Sequence, residues 1–565
     1  MPDSAPKIDP GKQFQAYILK RHHDLRGNEK LPTTADEWLT MRQELRDMLL
    51  ESWGGFPREA CDLVPHKLGE LKRDGYRLEK IVFQTRPGVF MTANAYVPDG
   101  GGKRPAVLCV HGHWKGAKQD PVPQSRCIGL AKLGFFVLGV DAFGAGERGI
   151  GKALGEYHGE MVGSTLLPIG LPLSGLQVYE NMRAVDYLLT RPEVDGSKLG
   201  ITGASGGGNQ SMYAGAFDER FSCVVPVCSV GTYKSYLAAA CCVCELVPDA
   251  MTYTEEWGIL SLVAPRALMV INATKDAFQF SVGEAQQSVA KVQHVYRLFA
   301  QAGKVAHAIF ESGHDYGKEM REAMYGWMTL HLKGEGKGNP IPEPVLTPED
   351  PEIIRCYPGE SRPDNFVTIP RFAAAEADRL IALHNREAPQ HKEEWDNAAM
   401  RMRHVLEHKV LGGFPRLPVS LPKFEKGIGF SLDGARIETE PGIRMDVAYF
   451  ENQTGKGAVI LFDQGNVLDV QLLEAFGKTS WKYLFWFTGR PGIPGDKIGR
   501  GEDHNAAEWS IWTGRPLLGQ WIWDARVTLE AIAKHDRAAF AEATLIGFGR
   551  VALAALGAAI FDQRV

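Results

Sequence analysis

From about residue 80 to residue 335 the chain alternates short apolar, β-branched runs with segments of helical periodicity, and this alternation leaves few folds open. The runs are "RLEKIVFQ", "FMTANAYVP", "AVLCVHG", "FFVLGVDA", "KLGITGA", "FSCVVPVCS", "ALMVINAT" and "AHAIFESG". Most are apolar at consecutive positions instead of every second one, which fits strands buried on both faces, as in a parallel sheet. Between them "ENMRAVDYLLT", "NQSMYAGAFD", "GEAQQSVAKVQHVYRLFAQAG" and "EMREAMYGWMTLHLK" carry apolar residues at helical spacing. Eight strands with helices entering after the third predict a doubly wound, mostly parallel eight-stranded α/β sheet. The stretch "KGEGKGNPIPEPVLTPEDPE", residues 333–352, is rich in Gly, Pro and charge and reads as a linker. The expected organisation is a helical arm and lead-in over 1–79, the α/β domain over 80–335, a linker and connecting segment over 336–390, and a further domain over 391–565.

The run "KLGITGA" leads into Gly203-Ala204-Ser205-Gly206-Gly207, a G-x-S-x-G pattern in which a serine is forced to the tip of a tight strand-to-helix turn. With 62 glycines in the chain the motif alone carries little weight, so its surroundings must decide. A serine hydroxyl becomes nucleophilic only when a base takes its proton and a third group holds that base in the right tautomer. "ALMVINATKDAFQF" puts Asp276 just past the seventh strand, and "AHAIFESGHDYG" puts His314 just past the eighth. The order Ser205, Asp276, His314 is the one this architecture requires. Asp249 and Asp315 are competing acids, and His307, inside a strand, is a weaker base. An acyl-transfer site also needs donors for the oxyanion. The N–H of Gly206 is one candidate; in "VHGHWKG" Gly112 lets the chain turn and the N–H of His113 is best placed, with Trp114 next.

The loop "DAFGAGERGIGKA" mimics two nucleotide motifs and completes neither. Ala153 stands where a magnesium-binding Ser or Thr is required, and glycines follow Gly149 where a helix should open. The loop is read as active-site rim, with Glu147 and Arg148, together with Trp114, reaching toward a substrate. Residues 150–176 form a long connection expected to be a lid or pocket wall. Nine cysteines, an odd number scattered over 565 residues, argue against a disulfide framework. Cys241, Cys242 and Cys244 cluster, but no second C-x-x-C or His pair lies near them in sequence, so no metal and no cofactor are expected.

The formal charge of −5, with both signs spread along the chain, offers no basic stripe for nucleic acid or an anionic membrane. No apolar run reaches membrane-spanning length, and the N-terminus lacks the apolar core of a signal peptide. A cytoplasmic location is expected, although a secreted protein stripped of its leader would read the same.

Beyond the linker the sequence repeats itself. "ESWGGFPRE" at 51–59 returns as "VLGGFPRLP" at 410–418, "AVLCVHG" as "AVILFDQG" at 458, and "GEYH" at 155 as "GEDH" at 501, pairing Glu156 and His158 with Glu502 and His504. Gly170-Leu171-Pro172-Leu173 and Gly514-Arg515-Pro516-Leu517 share one offset with Phe217-Asp218-Glu219-Arg220 and Phe561-Asp562-Gln563-Arg564. An internal duplication is therefore expected. In that register Ser205 falls on Gly549, so the second copy reads as incomplete and catalytically dead. Its fifth strand, "ATLIGFG", would be an apolar sheet edge, covered by the first domain or by another subunit of a homo-oligomer unless the chain is a truncated form.

Through "HGHWKG", "VDAFGAGER", "GASGGG", "LVAPRALMVINATKD" and "ESGHDYG", residues 80–335 resemble the α/β-hydrolase superfamily, and within it acetylxylan esterase-type, dienelactone hydrolase-like and prolyl oligopeptidase-type catalytic domains. The resemblance implies two-step hydrolysis with Ser205 as nucleophile, His314 as base and then acid, and Asp276 orienting it. The expected activity is that of a cofactor-free serine carboxylic-ester hydrolase removing short acyl groups such as acetyl from a carbohydrate or related small ester. An oligopeptidase-like amidase and a non-catalytic scaffold are the alternatives.

Overall fold

The computed structural model describes residues 10–154, 160–237, 239, 242–384, 388–417, 433–451, 458–462, 483–487, 504–541, 543–547 and 549–562. The chain forms two compact units: Arg26–Asn385, and Met1–Leu25 together with Arg386–Val565.

The unit Arg26–Asn385 is built on a sheet of nine strands: β1 (His66–Arg73), β2 (Tyr76–Arg86), β3 (Val89–Pro98), β4 (Arg104–Cys109), β5 (Phe136–Val140), β6 (Val194–Ala204), β7 (Phe221–Val227), β8 (Ala267–Ala273) and β9 (Val305–Phe310). Their spatial order is β1-β2-β3-β5-β4-β6-β7-β8-β9. The pairs β1–β2, β2–β3 and β3–β5 are antiparallel, and the pairs from β5 through β4, β6, β7 and β8 to β9 are parallel. Every residue of β5 and β8 is buried, as expected for strands covered on both faces by helices. β1, "HKLGELKR", is the strand beyond the eight expected. It is mostly exposed at the sheet edge and carries Lys67, Glu70, Lys72 and Arg73, a composition that discourages further strand pairing and also hides the strand from an apolar-run reading.

The Gly/Pro-rich stretch read as a linker is fastened to this unit. Arg321 holds Glu343 through two bonds (2.5 and 2.8 Å), Gln124 and Glu349 exchange hydrogen bonds at 2.7 and 2.9 Å, and Asn94 Nδ2 donates to the Ile354 carbonyl (2.9 Å).

Among the described residues, the other unit holds a five-stranded sheet of β10 (Asp433–Glu440), β11 (Ile443–Glu451), β12 (Ala458–Phe462), β13 (Tyr483–Phe487) and β14 (Ala543–Gly547) in the order β10-β11-β13-β12-β14. Two antiparallel pairs are followed by two parallel ones, the same sequence of pairings that runs through β2-β3-β5-β4-β6. Local details match as well. Gly54 and Gly412 sit at φ +76° and +72°, and an added Cβ at either would collide with the carbonyl of Gly170 or Gly514 respectively. Phe56 meets Phe217 edge-on at 5.3 Å, and Phe414 meets Phe561 edge-on at 5.0 Å. Glu156, His158 and Glu502 lie outside the described residues.

Candidate active site

β6 ends at Ala204, and the next residue, Ser205, has φ +59° and ψ −130° before the helix Gly206–Phe217 begins. A non-glycine residue in so sparsely populated a region costs about 1–3 kcal/mol, and the surroundings must hold it there. They do: Ser205 N–H donates to the Val227 carbonyl at the end of β7 (3.0 Å), while its carbonyl accepts from Gly208 and Asn209 N–H (2.7 and 3.0 Å). The tight turn also requires glycine at 207, where a Cβ would lie 2.7 Å from the carbonyl carbon of His111.

That contact brings in the loop after β4. A Cβ on Gly112 would lie 2.7 Å from Ser205 Cβ and 3.0 Å from Gly206 N, so backbone at 112 passes directly against the serine and the N–H that follows it. His111 fixes the loop: Nε2 accepts from Ala142 N–H (3.1 Å), leaving the proton on Nδ1, beside the Gly112 carbonyl (2.8 Å). Burial, opposed by Asp141, pushes the His111 pKa down to about 4, so the ring is a neutral structural group near pH 7. Trp114 N–H is committed to the Gly112 carbonyl (2.9 Å), and its side chain packs against the main core. His113 itself is exposed and turns its ring toward two cysteines, with Nε2 3.1 Å from Cys242 Sγ.

Asp276 and His314 stand on the loops after β8 and β9, which are stitched together by Thr274 N–H to Phe310 O and Lys275 N–H to Ser312 O, both 2.9 Å. His314 Nδ1 lies 2.7 Å from Asp276 Oδ1, which also accepts from Ala277 N–H (2.7 Å). The aspartate side chain is fully buried while the imidazole is 40% exposed. This is the arrangement in which a carboxylate fixes the Nδ1–H tautomer and leaves Nε2 to exchange protons. The His314 ring lies nearly parallel to Phe280 at 5.8 Å. No hydrogen bond joins Ser205 Oγ to His314 among the described residues. Such bonds are commonly long before substrate arrives and tighten in the reacting complex.

The rival candidates are accounted for. His307 Nε2 bonds Asn272 Oδ1 (3.0 Å), and burial lowers its pKa. Asp249 is held up by burial and by Glu51, and Asp315 gives its backbone carbonyl to Cys228 Sγ (3.3 Å). Glu147 and Arg148, expected at the rim, are corrected by the structure: they are 1% and 0% exposed. Glu147 pairs with Lys118 (2.5 Å) and accepts the N–H groups of Cys356 and Tyr357, and Arg148 grips Glu180 through two bonds (2.6 and 2.7 Å). Lys118 also reaches Asp141 (3.1 Å), so these charges brace the loops behind the site instead of facing a substrate. Of the long connection at 150–176, the helical turns Ser164–Ile169 pack Leu166 and Ile169 into a cluster with Phe143, Cys242 and Cys244.

Sequence reasoning passed over Cys228, at φ +48°, whose sulfur lies within 4.8 Å of both the Asp276 carboxylate and the His314 ring. Burial, and then Asp276, push its thiol pKa up to about 12, so it is a neutral neighbour of the pair. Its only signal was position, one residue past a strand end on the catalytic side of the sheet.

Residues 24–279 match the model of the Abhydrolase family Abhydrolase_7. The chain is 32% identical over 140 residues to "Putative hydrolase YtaP" of Bacillus subtilis (strain 168), covering 23% of this chain and 44% of that protein. It is 28% identical over 148 residues to PA2218 of Pseudomonas aeruginosa, covering 26% and 35%. The matches thus span less than half the length of either curated relative. Among solved structures, methylesterase BT1017 shares the fold with a TM-score of 0.53 at 21% identity, over 65% of this chain and 81% of its own. The family match over residues 24–279, the shared fold, and a mostly parallel sheet with a serine turn after β6 give the unit Arg26–Asn385 the α/β-hydrolase fold.

Proposed function

We propose that the protein is a serine carboxylic-ester hydrolase that works through an acyl-enzyme. Ser205 Oγ attacks the ester carbonyl, His314 Nε2 takes its proton, and Asp276 holds the imidazole and stabilises its charged form. The oxyanion settles between the N–H groups of Gly206 and His113. His314 then protonates the leaving alcohol, and water, deprotonated by the same ring, releases the acid. The observation that carries the reading is the pairing of a serine at φ +59° with a buried Asp276 2.7 Å from an exposed His314 at the same end of the sheet. Backbone packing of Gly112 against Ser205 and Gly206 supports the oxyanion assignment.

Short acyl esters of carbohydrates are the proposed substrates; the methylesterase named among the fold's relatives supports ester cleavage only. The unit formed by Met1–Leu25 and Arg386–Val565 is proposed to be a non-catalytic copy of the same fold, in which Gly549, at φ +57°, stands in the place of the serine at φ +59°. Hydrolysis of aryl acetates and of acetylated, feruloylated and glucuronoyl esters tests the proposal. Ser205→Ala should lower turnover by about a millionfold while the chain stays folded. Full activity in that variant would refute it.

A further inference from the structure

We propose that His113, Cys242 and Cys244 form a binding site for a soft, thiophilic metal ion, zinc above all, beside the loop that passes the nucleophile. This goes beyond the ester-hydrolase reading and does not depend on it. In sequence the two thiols have no histidine near them, but the fold delivers one from 129 residues away. His113 Nε2 lies 3.1 Å from Cys242 Sγ and 4.0 Å from Cys244 Sγ, and all three donor atoms fall within 4.8 Å of one another. A tetrahedral zinc ion with ordinary bond lengths holds sulfur and nitrogen ligands about 3.6 Å apart and two sulfurs about 3.8 Å apart, so the donors already stand near their bound spacing.

The cysteines are also held in place. Glu245 N–H donates to the Cys242 carbonyl (2.9 Å), and Cys242 N–H donates to Glu245 Oε2 (3.0 Å), a reciprocal pair that closes the turn carrying both thiols. Both cysteines are buried in the cluster with Phe143 and Leu166 while the imidazole is exposed, so the site has a dry floor and an open side. Two thiolates and one imidazole are soft donors that select zinc, copper(I) or cobalt(II) over magnesium or calcium. Three protein ligands leave the fourth tetrahedral position to water or another exogenous group. Each thiol loses its proton on ligation, so binding one divalent ion releases two protons to solvent. Because His113 sits in the loop that touches Ser205 and Gly206, the ion ties that loop to the turn at 242–245.

The test uses the full chain, reduced and stripped with chelator. Titration with Co2+ should give a thiolate-to-metal charge-transfer band and tetrahedral visible bands that saturate at one equivalent and vanish when Zn2+ is added. Zinc-edge X-ray absorption of the unmodified protein should show sulfur ligands at about 2.3 Å with lighter ligands at about 2.0–2.1 Å. Cys242→Ser, Cys244→Ser and His113→Ala should each weaken Zn2+ binding by more than about a hundredfold, beyond what loss of an outer-shell partner costs. Cys61→Ser, at a thiol outside the cluster, should leave binding unchanged. A zinc edge with only nitrogen and oxygen ligands overturns the proposal, and so does a charge-transfer band that survives in both serine variants.

Discussion

At the scale of single residues the site rests on a division of labour among environments. Asp276 is buried and holds His314 at 2.7 Å, while His314 reaches solvent and can exchange protons with a substrate. Asp276→Asn keeps the shape but favours the wrong imidazole tautomer, so turnover should fall by about ten-thousandfold, less than for Ser205→Ala. Steady-state kinetics checks this, and normal turnover would mean another acid orients the histidine. Gly112→Ala should act differently: its Cβ must push on the Ala204 carbonyl, Ser205 Cβ and Gly206 N, and a misplaced oxyanion donor lowers kcat by about a hundredfold to a thousandfold. The positions of Ser205, Asp276 and His314 were legible because each follows a run whose strand character was plain. Glu147 and Arg148 were misplaced for a physical reason: isolated charges default to the surface, and only tertiary structure shows that Lys118 and Glu180 neutralise them inside.

At the scale of elements, the loop after β4 is supported by buried charge, and two outcomes follow. Glu147→Ala leaves Lys118 partly uncompensated in the interior and should destabilise the unit Arg26–Asn385 by about 3–5 kcal/mol in urea unfolding, with KM for esters unchanged in the folded protein. A raised KM without loss of stability would restore the rim reading. His111 titrates at about 4 when folded against 6.5 ordinarily, so the unfolded chain binds the extra proton first as pH falls. Its contribution to stability is complete above pH 6.5 and is lost as pH drops toward 4, a slope of up to about 1.4 kcal/mol per pH unit. Unfolding midpoints measured across that window should flatten in His111→Gln. Strands were readable where they are buried on both faces; β1 was not, because an edge strand of Lys, Glu and His carries no apolar run. The pairing of His113 with Cys242 was equally hidden, since no local pattern reports a contact across 129 positions.

At the scale of the whole molecule, the two sheets share one order of pairing over five strands, and Ser205 after β6 and Gly549 after β14 both have a positive φ, +59° and +57°. The proposed duplication is legible in the sequence as matched offsets, whereas the shared positive φ needed coordinates. In the first unit Asp276 and His314, the proposed acid and base, stand on loops after β8 and β9, and the five described strands of the second have no counterparts to these. The chain should therefore carry one reactive serine. Reaction with a fluorophosphonate, followed by intact-mass and peptide analysis, tests this most directly: one adduct per chain, on the peptide containing Ser205, absent in Ser205→Ala and not doubled in Gly549→Ser. An adduct elsewhere, or one that persists in Ser205→Ala, would contradict the account.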